Sequence, residues 1–271
     1  MADKVGRSLA QAVATSLFLL GLVIVCYLLG RVAFFVLAAI VILFAFFELL
    51  DAIHRKGRRP PRVFGLACCL GLLVSAYLRR PDWFLAVAAA APAGCLLLAL
   101  LARRRATVVD DVAWTVLALA WIGGGGAGAV SVLALPSEGL RLLIGFMLIA
   151  AGDDIAAYFV GTGFGSHKMA PAISPSKTWE GVAGGVAGAL IVALVLIPLG
   201  TKLDLLEAAG LGAIVAVLAP LGDLVESMVK RELGIKDSGT LLPGHGGMLD
   251  RLDAILFCAP AVFLYLRFIL S

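Results

Sequence analysis

Charged residues are scarce in this chain. Asp, Glu, Lys and Arg make up 15% of its 271 residues, whereas hydrophobic residues make up 62%. That balance excludes an ordinary soluble domain. Cysteine and histidine are also few, at five and three residues. The cysteines all lie in apolar stretches without metal-ligand or redox spacing, so we expect packing residues rather than disulfides.

Long apolar windows recur from one end of the chain to the other. Because backbone polar groups cannot stay unpaired in lipid, such runs cross a bilayer as helices rather than as barrel strands. The first run is too long for a signal peptide and lacks a convincing cleavage site, so we interpret it as a retained helix. The sequence predicts an all-α integral membrane protein with about nine transmembrane helices. Their approximate windows are 12–30, 32–50, 63–78, 83–102, 112–135, 140–161, 181–200, 204–224 and 252–270.

Basic residues are unevenly distributed between the two sides that nine spans define. With the N-terminus in the cytoplasm, sixteen of the 22 Lys and Arg residues fall on the cytoplasmic side. Cytoplasmic loops of membrane proteins are enriched in Lys and Arg. We therefore expect a multi-pass protein of the cell membrane, with a cytoplasmic N-terminus, an outside C-terminus and the polar stretches 161–180 and 225–251 in the cytoplasm.

Three features of the N-terminal half have simple interpretations. The basic loop 54–62 is expected to set orientation and to attract anionic headgroups, and it lacks the aromatic residues that would favour nucleic-acid binding. Asp110 and Asp111 are expected to be solvated at an interface. Glycines 123–126 favour close helix packing or a local break, and a broken helix lining a substrate cavity is the functional alternative.

Adjacent carboxylates, Asp153 and Asp154, end the sixth window. Carboxylates in an apolar stretch need cations, water or a metal. Neighbouring residues on a helix point roughly 100° apart, so at most one of the two is expected to face a shared cavity.

The connection 161–181 combines glycines with positive charge. Gly161, Gly163 and Gly165 let the backbone approach an anion closely, and Lys168 and Lys177 supply the charge. The segment Ser174-Pro175-Ser176 resembles a helix entry, with Glu180 in the following turn. Helix capping and phosphate contact are both open interpretations of its hydroxyl side chains.

The stretch 222–253 concentrates charge between two apolar runs. If the eighth helix continues into it, Asp223, Glu226, Ser227 and Lys230 lie near one face. Asp250 and Asp253 are likewise three residues apart at the start of the last helix. Carboxylates with few sulfur or imidazole partners suit Mg²⁺, and the lone His245 is a poor basis for a zinc site.

Glycines and basic side chains complete the chemistry of this stretch. Glycines 244, 246 and 247 predict a tight exposed turn, and four basic residues lie close to it in sequence. Carboxylate-bound Mg²⁺, cationic donors and a glycine loop are the groups that enzymes use for phosphoryl or nucleotidyl transfer. An interfacial salt-bridge network is the structural alternative. The basic residues are Lys230, Arg231, Lys236 and Arg251.

The order of these residues resembles the signature of phosphatidate cytidylyltransferases, the CDP-diacylglycerol synthases. The matching pattern is Ser227-x-x-Lys230-Arg231, Lys236-Asp237, Pro243-x-His245-Gly246-Gly247 and Asp250-Arg251-x-Asp253. An upstream block also agrees, with Asp154 to Tyr158, Phe164-Gly165, His167-Lys168, Pro171, Ser174-Pro175, Lys177-Thr178 and Glu180-Gly181. The resemblance covers about residues 150–260.

The resemblance implies a reaction of CTP with phosphatidate that gives CDP-diacylglycerol and pyrophosphate. It implies Mg²⁺ held by Asp223 and Asp250, with a second cation such as K⁺. Residues 1–135 are then N-terminal transmembrane helices, and residues 136–271 are the catalytic region. The implied catalytic residues are Asp223, Lys230, Arg231, Lys236, Asp237, His245, Asp250, Arg251 and Asp253. The implied substrate-binding residues are Asp154, Lys168, Ser174, Lys177, Thr178, Ser227, Gly246 and Gly247.

Other functions remain open at this point. A transporter or channel would use Asp153, Asp154 and Asp223 as an ion path, although the charges cluster on one side. A related enzyme would act on another lipid phosphate, or transfer phosphate from CTP as a lipid kinase. The lipid bilayer is an expected partner and nucleic acid is not. Glycine-rich helices make a homodimer a further prediction.

Overall fold

A computed structural model describes residues 17–102, 107–239 and 247–270. Two residues predicted to belong to the site, His245 and Gly246, lie outside these ranges, as does the basic cluster 103–105. All other predicted site residues are described.

Every apolar window corresponds to a helix in the described ranges. The connections between the helices are short, apart from the two polar stretches. The elements are α1 (Leu17–Leu29, its described part), α2 (Arg31–Arg55), α3 (Arg62–Tyr77), α4 (Pro81–Leu101), α5 (Val108–Ala118), a π-helical turn (Leu119–Gly123), α6 (Gly124–Leu133), α7 (Gly139–Phe164), β1 (Lys168–Ala170), β2 (Ser174–Thr178), α8 (Trp179–Gly200), α9 (Leu205–Leu233), a 3₁₀ turn (Leu249–Arg251) and α10 (Asp253–Ile269).

Six of the helices in the described residues are long and apolar enough to cross a membrane. They are α2, α4, the continuous helix Val108–Leu133 formed by α5, the π turn and α6, and then α7, α8 and α9. The all-helical membrane class is thus confirmed. The count of nine spans and the orientation of the termini stay predictions.

Helix α4 shows why the apolar surface belongs in lipid. Its 21 residues are hydrophobic along nearly their whole length, yet only Ala91 and Cys95 are buried. A soluble protein rarely exposes so large a contiguous apolar face. The exposed Leu and Ala side chains of this helix therefore fit a hydrocarbon surrounding.

The chain divides into two compact units. One contains Met1–Gly126 and Leu233–Leu252, and its core includes Phe46, Ile53 and Leu73. The other contains Ala127–Glu232 and Asp253–Ser271. Its core is built from α7 and α8, with fully buried side chains such as Phe146, Ile149 and Ile197.

A small hairpin interrupts the helices in the second unit. Strands β1 and β2 pair antiparallel, with Lys168 opposite Thr178 and Ala170 opposite Ser174. The interpretation of Ser174-Pro175-Ser176 as a helix entry is therefore wrong. Helix α8 begins at Trp179, because the Thr178 hydroxyl accepts a hydrogen bond from the Gly181 amide at 3.1 Å and caps it.

Two of the glycines in residues 123–126, Gly123 and Gly126, pack closely against neighbouring side chains. A Cβ on Gly126 would lie 2.8 Å from Ile42 Cγ2, so α2 and this helix touch at the glycine. The helix stays continuous here through the π turn Leu119–Gly123. The packing interpretation is thus confirmed at Gly126.

Asp111 is not solvated, contrary to expectation. It is buried, and its carboxylate accepts a hydrogen bond from the Arg59 amide at 2.7 Å. Its neighbour Asp110 pairs with the Arg58 side chain. The basic loop folds back onto the start of α5, and that long-range contact brings the Asp111 carboxylate out of solvent. Asp110 stays exposed, as expected.

Candidate active site

Helix α9 carries the first part of the site. It runs without interruption from Leu205 to Leu233, as the sequence predicted. Asp223, Glu226 and Lys230 consequently share one face. Glu226 is buried, and its Oε2 lies 3.2 Å from Lys230 Nζ. Glu226 therefore points into the protein, whereas Asp223 keeps 40% of its side chain exposed.

Helix α10 brings a third carboxylate to this face. A Cβ on Gly222 would lie 2.8 Å from Phe257 Cβ and 3.0 Å from the Asp253 carbonyl oxygen, so only glycine permits this approach of α9 and α10. Each of Asp223, Glu226 and Asp253 offers a carboxylate oxygen within 4.8 Å of the others. We call these three residues the carboxylate cluster.

Strand β2 supplies a cation to the cluster. Lys177 Nζ lies 2.6 Å from Asp223 Oδ2 and 3.2 Å from the Pro220 carbonyl oxygen. The connection 161–181, noted for its positive charge, thus meets α9 directly. A lysine and a carboxylate that lie far apart in the sequence therefore come together in the structure.

The two adjacent aspartates of α7 have different surroundings. Asp153 is buried against α8, where a Cβ on Gly185 would lie 2.9 Å from its Oδ1. Asp154 is exposed, and its charge acts on Asp253 together with that of Asp223. The two side chains therefore diverge, as predicted, with Asp153 buried and Asp154 exposed.

Thr178 has a structural role in addition to any substrate contact. It is 3% exposed, caps α8, and is surrounded by glycines. Its Oγ1 would lie 3.3 Å from a Cβ on Gly161 and 2.7 Å from one on Gly165. Close packing around Thr178 thus explains both glycines, whereas nothing lies within 4 Å of a Cβ on Gly163.

Other predicted residues of the second unit surround the hairpin. Arg231 Nε donates to the Ile173 carbonyl oxygen at 3.4 Å, and the Ser174 and Ser176 hydroxyls lie 3.5 Å apart. Lys168 is exposed on β1, and Ser227 is half-buried beside Glu226. Lys177 and Arg231 are thus the predicted phosphate contacts that join α9 to the hairpin segment.

Asp250 belongs to the first unit, where it closes a loop. Its Oδ2 accepts hydrogen bonds from the Ser238 amide at 3.2 Å and the Gly247 amide at 2.7 Å. Lys236, Asp237 and Arg251 are exposed nearby in sequence. A Cβ on Gly247 would lie 2.6 Å from the Gly239 nitrogen, so close backbone contact explains this glycine.

Glu48 of α2 joins the same loop and was not among the predicted site residues. It is 7% exposed, and its Oε2 accepts a hydrogen bond from the Leu249 amide at 3.0 Å. The available signal was a single carboxylate inside the apolar window 32–50. Glu226 was likewise left out of the predicted site, although its spacing from Asp223 pointed to the same face.

The carboxylate cluster fits a divalent metal ion. Its oxygens are hard ligands at mutually short distances, and they include a buried glutamate. Asp223, one of the two residues assigned to Mg²⁺, belongs to it. Asp250 lies in the other unit, so its pairing with Asp223 stays a prediction.

Sequence similarity relates this chain to one protein family and to several curated proteins. The sequence model described as "Cytidylyltransferase family" matches residues 10–269. A phosphatidate cytidylyltransferase of Mycobacterium tuberculosis (strain H37Rv) is 41% identical over 165 residues, which are 58% of this chain and 48% of the relative. The enzyme of the same name from Haemophilus influenzae is 41% identical over 140 residues, which are 50% of this chain and 49% of the relative.

A protein with no activity in its name is similar to the same extent. The uncharacterized protein YnbB of Escherichia coli K12 is 43% identical over 144 residues, or 52% of this chain and 48% of YnbB. The chain spans about half the length of the curated relatives it matches. The family match, by contrast, extends over almost the entire sequence, and so the chain belongs to the cytidylyltransferase family.

Proposed function

We propose that this protein transfers the cytidylyl group of CTP to phosphatidate, with CDP-diacylglycerol and pyrophosphate as products. The single observation that carries the proposal is the carboxylate cluster, which places three acidic groups and Lys177 together at the meeting point of α9, α10 and β2. The family membership and the names of the curated relatives support the choice of substrates.

The proposed step is an in-line displacement at phosphorus. A phosphatidate phosphate oxygen attacks the α-phosphorus of CTP and forms a new P–O bond. The bond from that phosphorus to the oxygen bridging the α- and β-phosphates breaks, and pyrophosphate leaves with the electron pair. A phosphate monoester is already largely ionised near neutral pH, so the step needs no strong general base.

We propose Mg²⁺ as cofactor, held by Asp223 and Asp250, with a second cation such as K⁺. Glu226 and Asp253 add carboxylate oxygens beside Asp223. When bound, a divalent ion stabilises negative charge on phosphate oxygens and orients the groups that carry it. The assignment is supported by the hard-ligand chemistry of the cluster.

Basic side chains of the chain itself then orient the phosphates. Lys177 is placed at the cluster by β2, and Lys230 by α9. Their ammonium groups attract phosphate oxygens in the same space, and so favour the approach of a triphosphate to a lipid phosphate. Arg231, Lys236 and Arg251 are proposed phosphate contacts, and His245 is proposed to position a phosphate.

The location of the reaction follows from its substrates. Phosphatidate stays in the bilayer and CTP is soluble, so a site at the cytoplasmic face of the cell membrane gives both access. The apolar helices support a multi-pass membrane protein. The cytoplasmic side is supported by the excess of Lys and Arg in the loops assigned to it.

Turnover of labelled CTP tests the proposal. Protein purified in detergent is given CTP labelled in the cytidine, Mg²⁺ and phosphatidate. We expect a lipid-soluble cytidine product and one pyrophosphate released per product. Release of CDP with phosphorylation of the lipid would instead identify a kinase, and absence of turnover with phosphatidate would contradict the proposal.

Asp250→Asn provides a variant of the implied metal ligand. We expect it to reduce turnover by roughly 100-fold or more, because loss of charge stabilisation at a transferring phosphate has an effect of that order. Asp82→Asn is the matched control, since Asp82 is exposed at the start of α4. Near-normal turnover in Asp250→Asn, at equal protein folding, would remove Asp250 from the metal site.

A further inference from the structure

Glu48 is a charged residue in an apolar helix. It lies in α2, a helix long and apolar enough to span a membrane, and only 7% of it is exposed. Burial of a carboxylate is costly unless donors compensate it. The position of the donors to Glu48 indicates the role of this carboxylate.

Two donors to Glu48 are described, and they lie at the ends of residues 238–249. This segment contains the Pro-x-His-Gly-Gly motif, and we call it the signature loop. The Leu249 amide donates to Glu48 Oε2 at 3.0 Å, and the Ser238 hydroxyl donates to the same oxygen at 3.4 Å. Ser238 and Leu249 lie eleven positions apart in the sequence, on either side of the Pro-x-His-Gly-Gly motif. One carboxylate oxygen thus fastens both ends of this segment to α2.

Two glycines make room for the carboxylate between these ends. A Cβ on Gly247 would lie 2.7 Å from Glu48 Oε2, and a Cβ on Gly239 would lie 2.7 Å from Glu48 Cδ. Neither position accepts a larger residue without moving Glu48. The loop backbone is therefore fitted closely around this side chain.

The same backbone holds Asp250. Ser238 donates its hydroxyl to Glu48 and its amide to Asp250 Oδ2, and Leu249 immediately precedes Asp250. A change at Glu48 therefore reaches Asp250 through two routes, its neighbour in the chain and its hydrogen-bond donor.

We propose that Glu48 is a positioning residue, which fixes the signature loop to α2 so that Asp250 keeps the orientation needed to hold a divalent ion. The inference rests on the proposed function for its effect on turnover. It assigns to α2, which the signature does not reach, an indirect part in the site, through the loop that holds Asp250. Groups that support a metal ligand in this way typically change metal affinity or activity by about 10- to 100-fold when removed.

Three variants separate positioning from general stability. Glu48→Ala removes the oxygen that accepts both hydrogen bonds, whereas Glu48→Gln keeps an oxygen that can accept from the Leu249 amide. Ser75→Ala is the control, because Ser75 is a buried polar residue of the same unit whose hydroxyl donates within α3, to the Leu72 carbonyl oxygen. We expect Glu48→Ala to lower kcat and to raise the Mg²⁺ concentration for half-maximal activity by roughly 10-fold or more. Glu48→Gln should recover much of both, and Ser75→Ala should change neither.

Hydrogen exchange of the detergent-solubilised protein supplies a readout independent of turnover. We expect faster amide exchange in peptides covering 247–250 in Glu48→Ala, and wild-type exchange there in Ser75→Ala. Unchanged exchange in Glu48→Ala, or a Mg²⁺ requirement equal to that of Ser75→Ala, would overturn the inference. If the wild-type protein fails to use phosphatidate while Glu48→Ala still frees the loop, the anchoring stands and the proposed function fails.

Discussion

Single side chains in this protein combine structural and chemical duties. Thr178 was expected to contact substrate, and it caps α8 from a buried position between glycines. The cap satisfies an amide that the first turn of a helix leaves without a partner. Its stability contribution and its proposed substrate contact can be separated by substitution.

Replacement of Thr178 by Val tests the cap. Val keeps the shape and loses the hydroxyl, so we expect a loss of about 1 kcal/mol in the free energy of unfolding, the usual value of an N-cap. Thr178→Ser retains the acceptor and serves as the control. Thermal unfolding in detergent measures both. An unchanged Tm in Thr178→Val, with a raised KM for CTP, would show that the hydroxyl acts on substrate rather than on the helix.

Lys177 contacts the carboxylate cluster from outside α9 and α10. Its ammonium lies 2.6 Å from Asp223 Oδ2, where it offsets the repulsion among neighbouring carboxylates and attracts phosphate. For Lys177→Met we expect a fall in kcat/KM for CTP of roughly 100-fold, from the loss of a charged donor at the transferring phosphate. Lys202→Met, at an exposed lysine after α8, is the control. Equal kcat/KM values in the two variants would place Lys177 outside the reaction.

At the scale of elements, small residues set how closely helices approach. Helices α7 and α8 make the most extensive helix contact in the described chain. A Cβ on Gly188 would lie 2.6 Å from the Gly152 carbonyl oxygen, so the backbones touch there. Small residues permit such contacts between membrane helices, which gain stability from packing rather than from escape from water.

Alanine substitutions compare a packed glycine with an open one on the same helix. We expect Gly188→Ala to destabilise the protein by roughly 1–3 kcal/mol, the range for overpacking a close contact. Nothing lies within 4 Å of a Cβ on Gly200, and Gly200→Ala should leave stability nearly unchanged. Denaturation in detergent measures the difference. Equal stability of the two variants would contradict the close contact at Gly188.

Local sequence patterns predicted the helices and failed where distant segments meet. The apolar windows located every described helix, and the three-residue spacing of Asp223 and Glu226 put both on one face of α9. The hairpin was missed because short strands in a polar connection have no hydrophobic period. Glu48 was missed, and Asp111 was wrongly expected to be solvated, because their donors lie 201 and 52 positions away.

At the scale of the whole molecule, the distribution of basic residues makes a topological prediction. The loop 54–62 should face the cytoplasm and the turn after α8 should face outward. Lys56→Cys and Lys202→Cys, each in a background without the five native cysteines, test both sides at exposed positions. With an impermeant thiol reagent on intact cells, we expect label at position 202 only. Label at position 56 before permeabilisation would reverse the topology.

The proposed reaction depends on a divalent ion bound at Asp223. Electron paramagnetic resonance of Mn²⁺, used in place of Mg²⁺, measures that binding in the wild-type protein, in Asp223→Asn and in Asp82→Asn without any turnover. We predict that the wild-type protein and Asp82→Asn bind Mn²⁺ alike, and that Asp223→Asn binds it roughly 10-fold or more weakly, since it loses a charged ligand. Equal Mn²⁺ affinity in all three proteins would contradict the metal site, and with it the proposed route from CTP to the lipid.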